Sequence, residues 1–420
     1  MIKLITLICG FIQTLFVINI LYKIFFKKLF SYSYTFLLIY YIIFTLPLLM
    51  DVLMGIPNYS NRSQILYEKS SYDKKVIFMF NFINVFIYLI LWKVKKEFPI
   101  NLKYKKNRVL NAFLIFISVL PIILVIININ NIPSFKYASL MGYSKYNAEI
   151  YNLYNIFLNI TLISVPLGML YIILNPKRHI YITFIIYLSI LVGIYINGKR
   201  LIVFLFFILL IVNMFINNRK KFFITILCSV IFVSLFNIFY SNYLDKEYGL
   251  NKFSNDGYLQ FRIDYSRDHN VKMILYKELN KYETPVLEYR GQSFIFNLTF
   301  FIPRNVWEDK PYPYGVYVTS SSLGLNNVED LGWQMTTSLL DECIANFGIP
   351  IGILFFILVF LIVFKIGFAF KDDTLFFALT NLIILLLLTM QFSFYAIFIL
   401  LWGGMALIKY INRRYKFSLK

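Results

Sequence analysis

The stretch from Leu340 to Phe364, LDECIANFGIPIGILFFILVFLIVF, joins two carboxylates to a long apolar run. A helix needs about 20 mainly apolar residues to cross the hydrocarbon core of a bilayer, and this run is long enough. Similar runs recur along the chain, in which hydrophobic residues make up 59% of 420 positions and the mean hydropathy is +0.68. The sequence therefore predicts an all-α polytopic integral membrane protein.

The apolar runs predict about eleven membrane-spanning helices. Eight fall within residues 1–240, a polar loop of about 100 residues follows at 241–340, and three fall within 341–420, before a cytoplasmic C-terminus. The predicted spans lie near 2–26, 32–54, 76–92, 109–130, 150–174, 180–196, 201–216, 222–240, 340–364, 374–390 and 395–409.

Basic residues predict the orientation of these helices. The loops fall into two alternating sets, and one set contains the lysine-rich stretch from Lys93 to Arg108 and the basic C-terminus. By the positive-inside rule this set faces the cytoplasm. The N-terminus, the loops at 55–75 and 131–149, the turn at 197–200 and the large loop at 241–340 are therefore expected outside.

The net charge of +20 does not require a nucleic-acid partner. Most carboxylates lie in the outer loop, so the positive excess falls on the predicted cytoplasmic surface, where anionic membrane lipid balances it. The two histidines and three cysteines form no zinc-ligand pattern, and no phosphate-binding P-loop motif is present. We therefore predict no metal ion and no other cofactor.

The outer loop itself contains three kinds of segment. Residues 256–282 have a loose helical apolar pattern that ends before Pro285. The apolar stretch 293–302 is too short to cross a membrane and is expected to lie on its surface. The Ser/Gly/Asn-rich stretch 319–327 is expected to be mobile.

Five arginines stand at or near the expected outer surface. A guanidinium group binds phosphate or pyrophosphate with two parallel hydrogen bonds, and it does so strongly where water is partly excluded. An ion pair with a nearby carboxylate, or extension of the side chain to the membrane surface, is the alternative explanation for each of them. The five are Arg200, Arg262, Arg267, Arg290 and Arg304.

Glu342 stands where the outer loop becomes an apolar helix. Partial removal from water would raise the pKa of its carboxyl group toward the range of a general base. The helix dipole also favours acidic residues in a first turn, and this simpler explanation stays open. Aromatic rings among polar residues suit either stacking on sugars or a belt at the membrane surface. These rings belong to Trp307, Tyr312, Tyr314 and Trp333.

Four features of the outer loop occur in a recognisable order. They are the arginine-bearing helix from Tyr258 to Leu279, the step Gly291 to Phe294, FIPRNVWEDKP from Phe301 to Pro311, and SLLDECIANFGIPIG from Ser338 to Gly352. This order resembles the oligosaccharide repeat unit polymerases, the Wzy-type O-antigen and capsular polysaccharide polymerases. The turn Gly198-Lys199-Arg200 is similar to a Gly-Ser-Arg turn of that family, with Lys in place of the small residue. The other matching positions are Pro303, Arg304, Trp307, Lys310, Pro311, Glu342, Asn346, Phe347 and Gly348.

The resemblance implies a multi-pass protein of the bacterial cytoplasmic (inner) membrane with a GT-C-like glycosyltransferase architecture. An oligosaccharide linked to undecaprenyl pyrophosphate is then both donor and acceptor, and a chain-length regulator and a flippase are the expected partners. The expected catalytic residues are Arg200, Arg267 and Arg304, which neutralise the leaving pyrophosphate, and Glu342, which acts on the acceptor hydroxyl. The expected substrate-binding residues are Arg262, His269, Arg290, Lys310, Trp307, Tyr312 and Trp333.

Two other functions stay open for a chain of this kind. A lipid-linked oligosaccharide flippase would place charged residues inside its spans and keep its loops short. An O-antigen ligase would use the same donor and rely on a loop histidine, for which His269 is the candidate. A purely structural membrane protein is the remaining alternative.

Overall fold

The structure is a computed structural model. It describes residues 2–59, 64–99, 108–132, 148–176, 179–198, 200–217, 224–229, 231–232, 235–236, 257–280, 284–325, 327–328, 331 and 334–418. The helices with assigned bounds are, in chain order, α1 (Ile2–Phe25), α2 (Tyr32–Tyr40), α3 (Leu46–Met54), α4 (Ile65–Tyr72), α5 (Lys74–Lys93), α6 (Arg108–Ile127), α7 (Ala148–Leu174), α8 (Ile180–Asn197), α9 (Arg200–Asn217), α10 (Gly257–Tyr265), α11 (Asp268–Leu279), α12 (Gln292–Leu298), α13 (Tyr314–Ser322), α14 (Leu339–Phe347), α15 (Ile349–Ala369), α16 (Thr374–Thr389) and α17 (Phe392–Ser418).

The protein is an all-α membrane protein, about 79% helical. Within the described residues, five helices are long and apolar enough to cross a membrane, and they are Ile2–Phe25, Tyr32–Met54, Lys74–Lys93, Ile156–Leu174 and Ile349–Ala369. Shorter apolar helices occupy Asn111–Ile127, Ile180–Ile196, Thr374–Thr389 and Phe398–Asn412. A two-residue antiparallel pairing joins β1 (Leu29–Phe30) to β2 (Phe98–Pro99). The predicted fold class is confirmed at this level.

The chain divides into two compact units, and the first of them combines the beginning and the end of the chain. The first unit combines Met1–Leu102 with Asn255–Lys420, and the second is Lys103–Ser254. In the second unit α7 packs against α6, α8 and α9. Its buried core contains Ile132, Tyr154, Phe157 and Ile196. The described part of the outer loop therefore belongs to the same unit as the first and last spans.

The two ends of the first unit differ in chemistry. At one end the starts of α1 and α5 meet the end of α3 around a cavity that includes Asp51 and Lys272. At the other end Lys23, near the end of α1, pairs with Glu97, just beyond α5, at 2.7 Å. These helices therefore run between the two ends of the unit, and the basic segments that follow α1, α5 and α15 meet at the second end.

The second span contains a widened turn. Between α2 and α3 the residues Tyr41–Thr45 form a π-helical segment, a short insertion that is often found at functional sites. The Ile43 carbonyl oxygen in this segment accepts a hydrogen bond from the backbone N–H of Arg267 at 3.1 Å. The segment thus ties a membrane-spanning helix to the outer-loop helices.

Local capping explains where several of these helices begin. The Asp73 carboxylate accepts bonds from the backbone N–H groups of Lys75 and Val76 and so starts α5. Ser338 and Asp341 form a reciprocal capping box that starts α14. The Asp373 carboxylate accepts from the Phe376 N–H at the start of α16.

Three local expectations are corrected. The helix predicted over 256–282 is two helices, α10 and α11, interrupted at Ser266 and Arg267. The stretch expected to be mobile includes residues 319–322, which form the buried last turns of α13. The span predicted from residue 340 begins at Ile349, because α14 is a separate helix that ends at Gly348, whose φ is +77°.

Candidate functional site

Outer-loop helices pack directly on the membrane-spanning part of the first unit. Helix α11 contacts α4, α5 and α14, and α14 in turn contacts α12, α15 and α16. Helix α13 rests against α4. The polar residues of the loop are therefore gathered in a packed layer.

Glu342 is buried at the centre of this layer, 1% exposed, in the first turn of α14. Its Oε1 atom accepts hydrogen bonds from the Ser293 hydroxyl and the Asn297 amide, each at 2.8 Å. Its Oε2 atom is buried and has no hydrogen-bond partner among the described residues. One carboxylate oxygen is thus fixed by α12, and the other is available for chemistry.

Burial raises the pKa of the Glu342 carboxyl group to about 7, although the bonds from Ser293 and Asn297 oppose the rise. Burial also raises the pKa of the neighbouring Asp341 to about 7, against the bonds from Ser338. Both groups therefore change protonation near neutral pH. A carboxyl group in this range can accept a proton from a substrate hydroxyl.

Other buried polar atoms surround the two carboxyl groups. The Asn346 amide donates to the Ser293 hydroxyl and to the Glu342 carbonyl oxygen, both at 2.7 Å. The Asn346 Oδ1 atom, the Asp341 Oδ2 atom and the Tyr314 hydroxyl have no hydrogen-bond partner within the described part of the chain. Because unpaired buried polar atoms are costly, such a group is typical of a site that receives a polar ligand.

Arg267 lies near these carboxylates but is bonded to backbone. Its Nε and Nη2 atoms donate to the Thr389 carbonyl oxygen at the end of α16, both at 3.3 Å, and Nη1 donates to the Ser266 carbonyl oxygen at 2.6 Å. Burial lowers the pKa of Arg267 to about 10, and the negative charge of Asp341 opposes this shift. The side chain is 3% exposed, so it joins α10, α11 and α16 from the inside.

Arg262 is fully enclosed in a charge network with two carboxylates. It donates two bonds to Asp51, at 3.0 and 2.7 Å, and two to Asp268, one of them at 2.8 Å. The Lys272 ammonium group lies 2.8 Å from Asp268 and 3.4 Å from Asp51. Tyr258 also donates to Asp51, at 2.7 Å. With its donors taken by carboxylates, Arg262 acts as a link between α3, α10 and α11.

His269 is a buried part of the same layer, 1% exposed. Its Nδ1 atom lies 3.0 Å from the Ser266 hydroxyl oxygen, and its ring packs against Tyr67 at 4.5 Å between centroids. Burial lowers the pKa of His269 well below its usual value, so the ring is neutral at physiological pH. The Tyr67 hydroxyl donates to Asn270 at 2.6 Å, which anchors α4 to α11.

A cavity of about 470 Å³ opens beside the charge network. Asp51 and Lys272 reach it from the network, and Lys3 and Lys74 line it from the starts of α1 and α5. Apolar residues of α3, among them Leu48 and Val52, form another part of its wall. The cavity combines ammonium groups with an apolar wall, which suits the headgroup and the hydrocarbon chain of an anionic amphiphile.

Arg304 stands in a different setting, on the exposed surface of the loop. Its Nη2 atom donates to the Pro311 carbonyl oxygen at 3.0 Å, and its guanidinium carbon lies 4.0 Å from the centre of the Tyr312 ring. Within the described residues it forms no ion pair. Arg304 is therefore a positioned cation that remains accessible to an anionic ligand.

Lys310 and Arg290 hold the loop in place. The Lys310 ammonium group is 6% exposed and donates to the carbonyl oxygens of Phe300 and Ile302, at 3.1 and 2.7 Å. Arg290 makes two bonds of 2.7 Å to Glu278 and one of 2.8 Å to the Ala345 carbonyl oxygen. Both of these predicted substrate-binding residues already have protein partners.

Helix α13 carries two tyrosines whose pKa values respond to the predicted site residues. Burial raises the pKa of Tyr314, and the charges of Asp341 and Glu342 raise it further. Burial also raises the pKa of Tyr317 to about 12, while the charge of Arg304 opposes the rise. The Tyr317 hydroxyl accepts from the Tyr312 N–H at 3.1 Å. Arg304 and Glu342 therefore both lie within the electrostatic reach of one helix.

Three predicted site residues are less informative. Trp307 is half-buried, and its backbone N–H closes a turn by donating to the Pro303 carbonyl oxygen at 3.2 Å. Arg200 is the first residue of α9, and its side chain lies outside the described part of the structure. Trp333 lies outside the described residues altogether.

Sequence reasoning missed Asp51 and Lys272. Asp51 could have been identified from the sequence, because it is a carboxylate within a predicted span. Burying such a residue in a membrane costs free energy unless it is paired. Its pairing with Arg262, distant in sequence, had no local signature. Among the described residues, no group of three or more His, Cys, Asp and Glu side chains is arranged to hold a metal ion.

Comparison of the chain with models of protein families, with curated proteins and with solved structures found no match in any of the three searches.

Proposed function

We propose that this protein is a membrane glycosyltransferase that polymerises oligosaccharide repeat units carried on undecaprenyl pyrophosphate, at the outer face of a bacterial cytoplasmic membrane. The observation that carries the proposal is the buried Glu342 carboxyl group at the entrance to α15. One of its oxygens is fixed by Ser293 and Asn297, the other has no partner among the described residues, and its pKa is about 7. A general base for a sugar hydroxyl needs this combination of fixed geometry and matched pKa.

In the proposed reaction, the hydroxyl oxygen of the acceptor sugar attacks the anomeric carbon of the donor. The new glycosidic C–O bond forms as the C–O bond to the pyrophosphate breaks. The Glu342 carboxylate takes the hydroxyl proton, and the electron pair of the broken bond leaves with undecaprenyl pyrophosphate. Arginine neutralises the charge that develops on this leaving group.

The geometry favours Arg304 for that last role over the other arginines. Arg304 is exposed, stacked on Tyr312, and without an ion-pair partner among the described residues. Arg262 and Arg267 are buried and bonded to carboxylates or carbonyl oxygens. We therefore assign these two to positioning the helices around Glu342, and Arg304 to the pyrophosphate.

Polymerisation also requires a place for a second lipid-linked unit. The cavity beside Asp51 offers the exposed Lys3 and Lys74 to a phosphate group and the α3 side chains to an isoprenoid chain. We assign this cavity to one of the two lipid carriers. Holding both substrates next to the site would supply the proximity on which such a transfer depends.

The proposal includes a GT-C-like arrangement with eleven spans. We assign nine of these spans to the five long helices and the four shorter apolar helices. We assign the remaining two to α9 and to the apolar stretch 222–240, much of which lies outside the described residues.

Two observations favour a polymerase over its rivals. A ligase that depends on a loop histidine needs a basic imidazole, and burial lowers the pKa of His269 well below its usual value. A flippase would use charged residues within its spans, and Asp51, within the second span, is already bonded to Arg262, Lys272 and Tyr258.

Purified protein and lipid-linked repeat units test the proposal directly. We expect the wild-type protein to extend undecaprenyl-pyrophosphate-linked repeats into a ladder on a gel, without added nucleotide sugar. Glu342→Gln keeps the hydrogen-bond acceptor for Ser293 and Asn297 but cannot take a proton, so it should give no ladder. Deletion of the gene should leave a surface glycan that carries one repeat unit instead of a long polymer. Loss of all surface glycan would instead indicate a flippase or a ligase, and a full ladder from Glu342→Gln would remove its role as base.

A further inference from the structure

A second cavity lies at the other end of the first unit, far along the helices from the carboxylates. It has a volume of about 440 Å³ and opens between the start of α2, the residues after α5 and the last turns of α15. Lys95, Lys96 and Lys365 line it. We call this cavity the lysine pocket.

Positive charge exceeds negative charge at the lysine pocket. Among the described residues, its lining includes three lysines and no carboxylate. Glu97 pairs with Lys23 at 2.7 Å and lies 4.0 Å from the Lys95 ammonium group, and Asp373 pairs with Lys409. Burial and the charge of Lys23 lower the pKa of Lys95, so the positive groups crowd one another. A ligand that relieves this repulsion must be an anion.

Aromatic rings lie against two of these ammonium groups. Lys95 lies 3.3 Å from the centre of the Trp92 ring, and Lys96 lies 5.3 Å from that of Phe368. Lys371 also approaches Phe368, at 4.7 Å. Cation–π contacts fix the position of an ammonium group and leave its charge uncompensated.

Ser31, Tyr32 and Ser33 line the lysine pocket from the start of α2, and the side formed by α15 is mainly apolar. Leu361, Phe364 and Phe368 line it from successive turns of α15. This helix is a candidate membrane span of 21 residues, and Ile351, Leu354 and Leu358 are exposed along it. A hydrocarbon chain that follows α15 would therefore end at the three lysines.

We infer that the lysine pocket binds the phosphate headgroup of an anionic phospholipid, with one acyl chain lying against α15. Basic pockets between membrane helices on the cytoplasmic side suit such headgroups. The bound lipid would connect α2, α5 and α15 at this end of the unit. The inference does not depend on the glycosyltransferase function, because its residues lie outside the site of Glu342 and Arg304.

Native mass spectrometry of the purified full-length protein in detergent tests the inference. The probes are phosphatidylglycerol, phosphatidylcholine of the same acyl chains, and inorganic phosphate. We expect phosphatidylglycerol to bind at least about tenfold more tightly than phosphatidylcholine. The triple variant Lys95→Gln, Lys96→Gln, Lys365→Gln should lose this preference. The matched control Lys27→Gln, Lys69→Gln, Lys75→Gln, which changes three exposed lysines elsewhere, should keep it.

Several results would overturn the inference. Equal binding of the two lipids, or an unchanged preference in the triple variant, would show that the pocket does not select an anionic headgroup. Saturation by inorganic phosphate at the same concentration as phosphatidylglycerol would show a free-phosphate site instead of a lipid site. If the triple variant does not fold, the single variants Lys96→Gln and Lys365→Gln replace it, because both positions are exposed. We expect each of them to weaken phosphatidylglycerol binding. Unchanged binding in both would overturn the inference.

Discussion

At the scale of single residues, burial separates the charged side chains of this protein into two kinds. Arg262 and Arg267 are enclosed and their donors are taken up by protein oxygens. Glu342 is equally buried, but one of its oxygens has no partner among the described residues. A buried group whose partners are complete stabilises the fold, and one whose partners are incomplete is a candidate for chemistry.

The pH dependence of stability should report the buried Glu342 directly. Its pKa in the folded protein, about 7, lies above the usual value of 4.5, so the fold favours the protonated form. The associated stability is complete at low pH and is lost as pH rises from about 4 through about 7. Glu342→Gln should therefore be more stable than the wild type at pH 8, by about 1–3 kcal/mol, and similar to it at pH 5. Thermal unfolding at both pH values measures this.

Asp341 keeps its own pH dependence in that variant, because burial raises its pKa as well. The stability of Glu342→Gln should consequently depend on pH less steeply than that of the wild type, but it should still depend on pH. Parallel curves for the two proteins would mean that the pKa of Glu342 is the same in the folded and unfolded states.

Arg304 should matter for activity and little for folding, because it is exposed and makes one hydrogen bond to a described residue. Removal of a group that stabilises charge in a transition state typically lowers kcat by about 100-fold to 1000-fold. We expect Arg304→Ala to show a loss of that size in chain extension, and Arg304→Lys to retain part of the activity. Lys69→Ala, another exposed change in the first unit, is the control. Full activity of Arg304→Ala would exclude this role.

At the scale of helices, close approaches decide how the outer-loop layer meets the membrane spans. A Cβ atom at Gly352 of α15 would lie 2.5 Å from the Cys343 carbonyl oxygen and 2.7 Å from the Ile344 Cα atom of α14. These are backbone atoms, so they cannot rotate away. Gly352 thus sets the distance between the helix that carries Glu342 and the span that follows it.

Gly352→Ala should accordingly displace α14 and lower both stability and activity. Overpacking of this kind costs about 1–3 kcal/mol. Gly403→Ala in α17 is the matched control, since no described atom lies within 4 Å of its added Cβ atom. Thermal unfolding of the two variants should show a lower melting temperature for Gly352→Ala alone, and equal values would argue against the close contact.

The charge network around Arg262 joins three helices, and its removal should act on the fold. Arg262→Met leaves the carboxylates of Asp51 and Asp268 with Lys272 as their remaining cationic partner, and breaking a buried ion pair costs about 3–5 kcal/mol. Arg290→Met breaks an exposed pair with Glu278, which is worth about 0–1 kcal/mol. Urea unfolding of the two variants in detergent compares them. Similar losses in both would mean that the buried network adds little.

The sequence predicts the apolar helices well and the outer loop poorly, for physical reasons. Apolar runs must form helices in a membrane, because no water is available to pair their backbone groups. The break at Ser266 and Arg267 depends instead on a distant partner, the Ile43 carbonyl oxygen. The polar turns of α13 are buried because Thr319 and Ser322 bond to carbonyl oxygens of their own helix, which composition alone does not reveal.

The candidate site was predictable only in part. Glu342 combines a carboxylate with the start of an apolar helix, and this local signal identified it correctly as a buried acid. The contrast between Arg304 and Arg262 was invisible, because it depends on whether a carboxylate such as Asp51 folds against the guanidinium group. Pairing between distant segments is a property of the tertiary structure.

At the scale of the whole first unit, the two ends of its long helices differ in chemistry. One end has the buried carboxylates and the Asp51 cavity, and the other has the lysine pocket. The positive-inside rule predicts that the lysine pocket faces the cytoplasm. The packing of the first unit agrees with that rule, because Lys95, Lys96, Lys365 and Lys371 lie together at this end.

Cysteine labelling in whole cells tests this orientation. In a background without Cys9, Cys228 and Cys343, we expect Lys69→Cys to react with a membrane-impermeant maleimide and Lys96→Cys to react only after the membrane is opened. Both positions are exposed, so accessibility to the reagent is decided by the membrane. The reverse pattern would place Glu342 on the cytoplasmic side and end the proposed reaction.

The widened turn at Tyr41–Thr45 presents the Ile43 carbonyl oxygen to the outer-loop helices. A π turn holds one more residue than an α turn, so deleting one residue there would restore ordinary α-helical winding and leave the two flanks of the span nearly in register. The Ile43 carbonyl oxygen would then accept a bond within its own helix, and the Arg267 N–H would lose its partner. A single-codon deletion deep in an apolar stretch would thereby cut one link between the second span and the outer-loop helices while leaving the hydropathy profile almost unaltered.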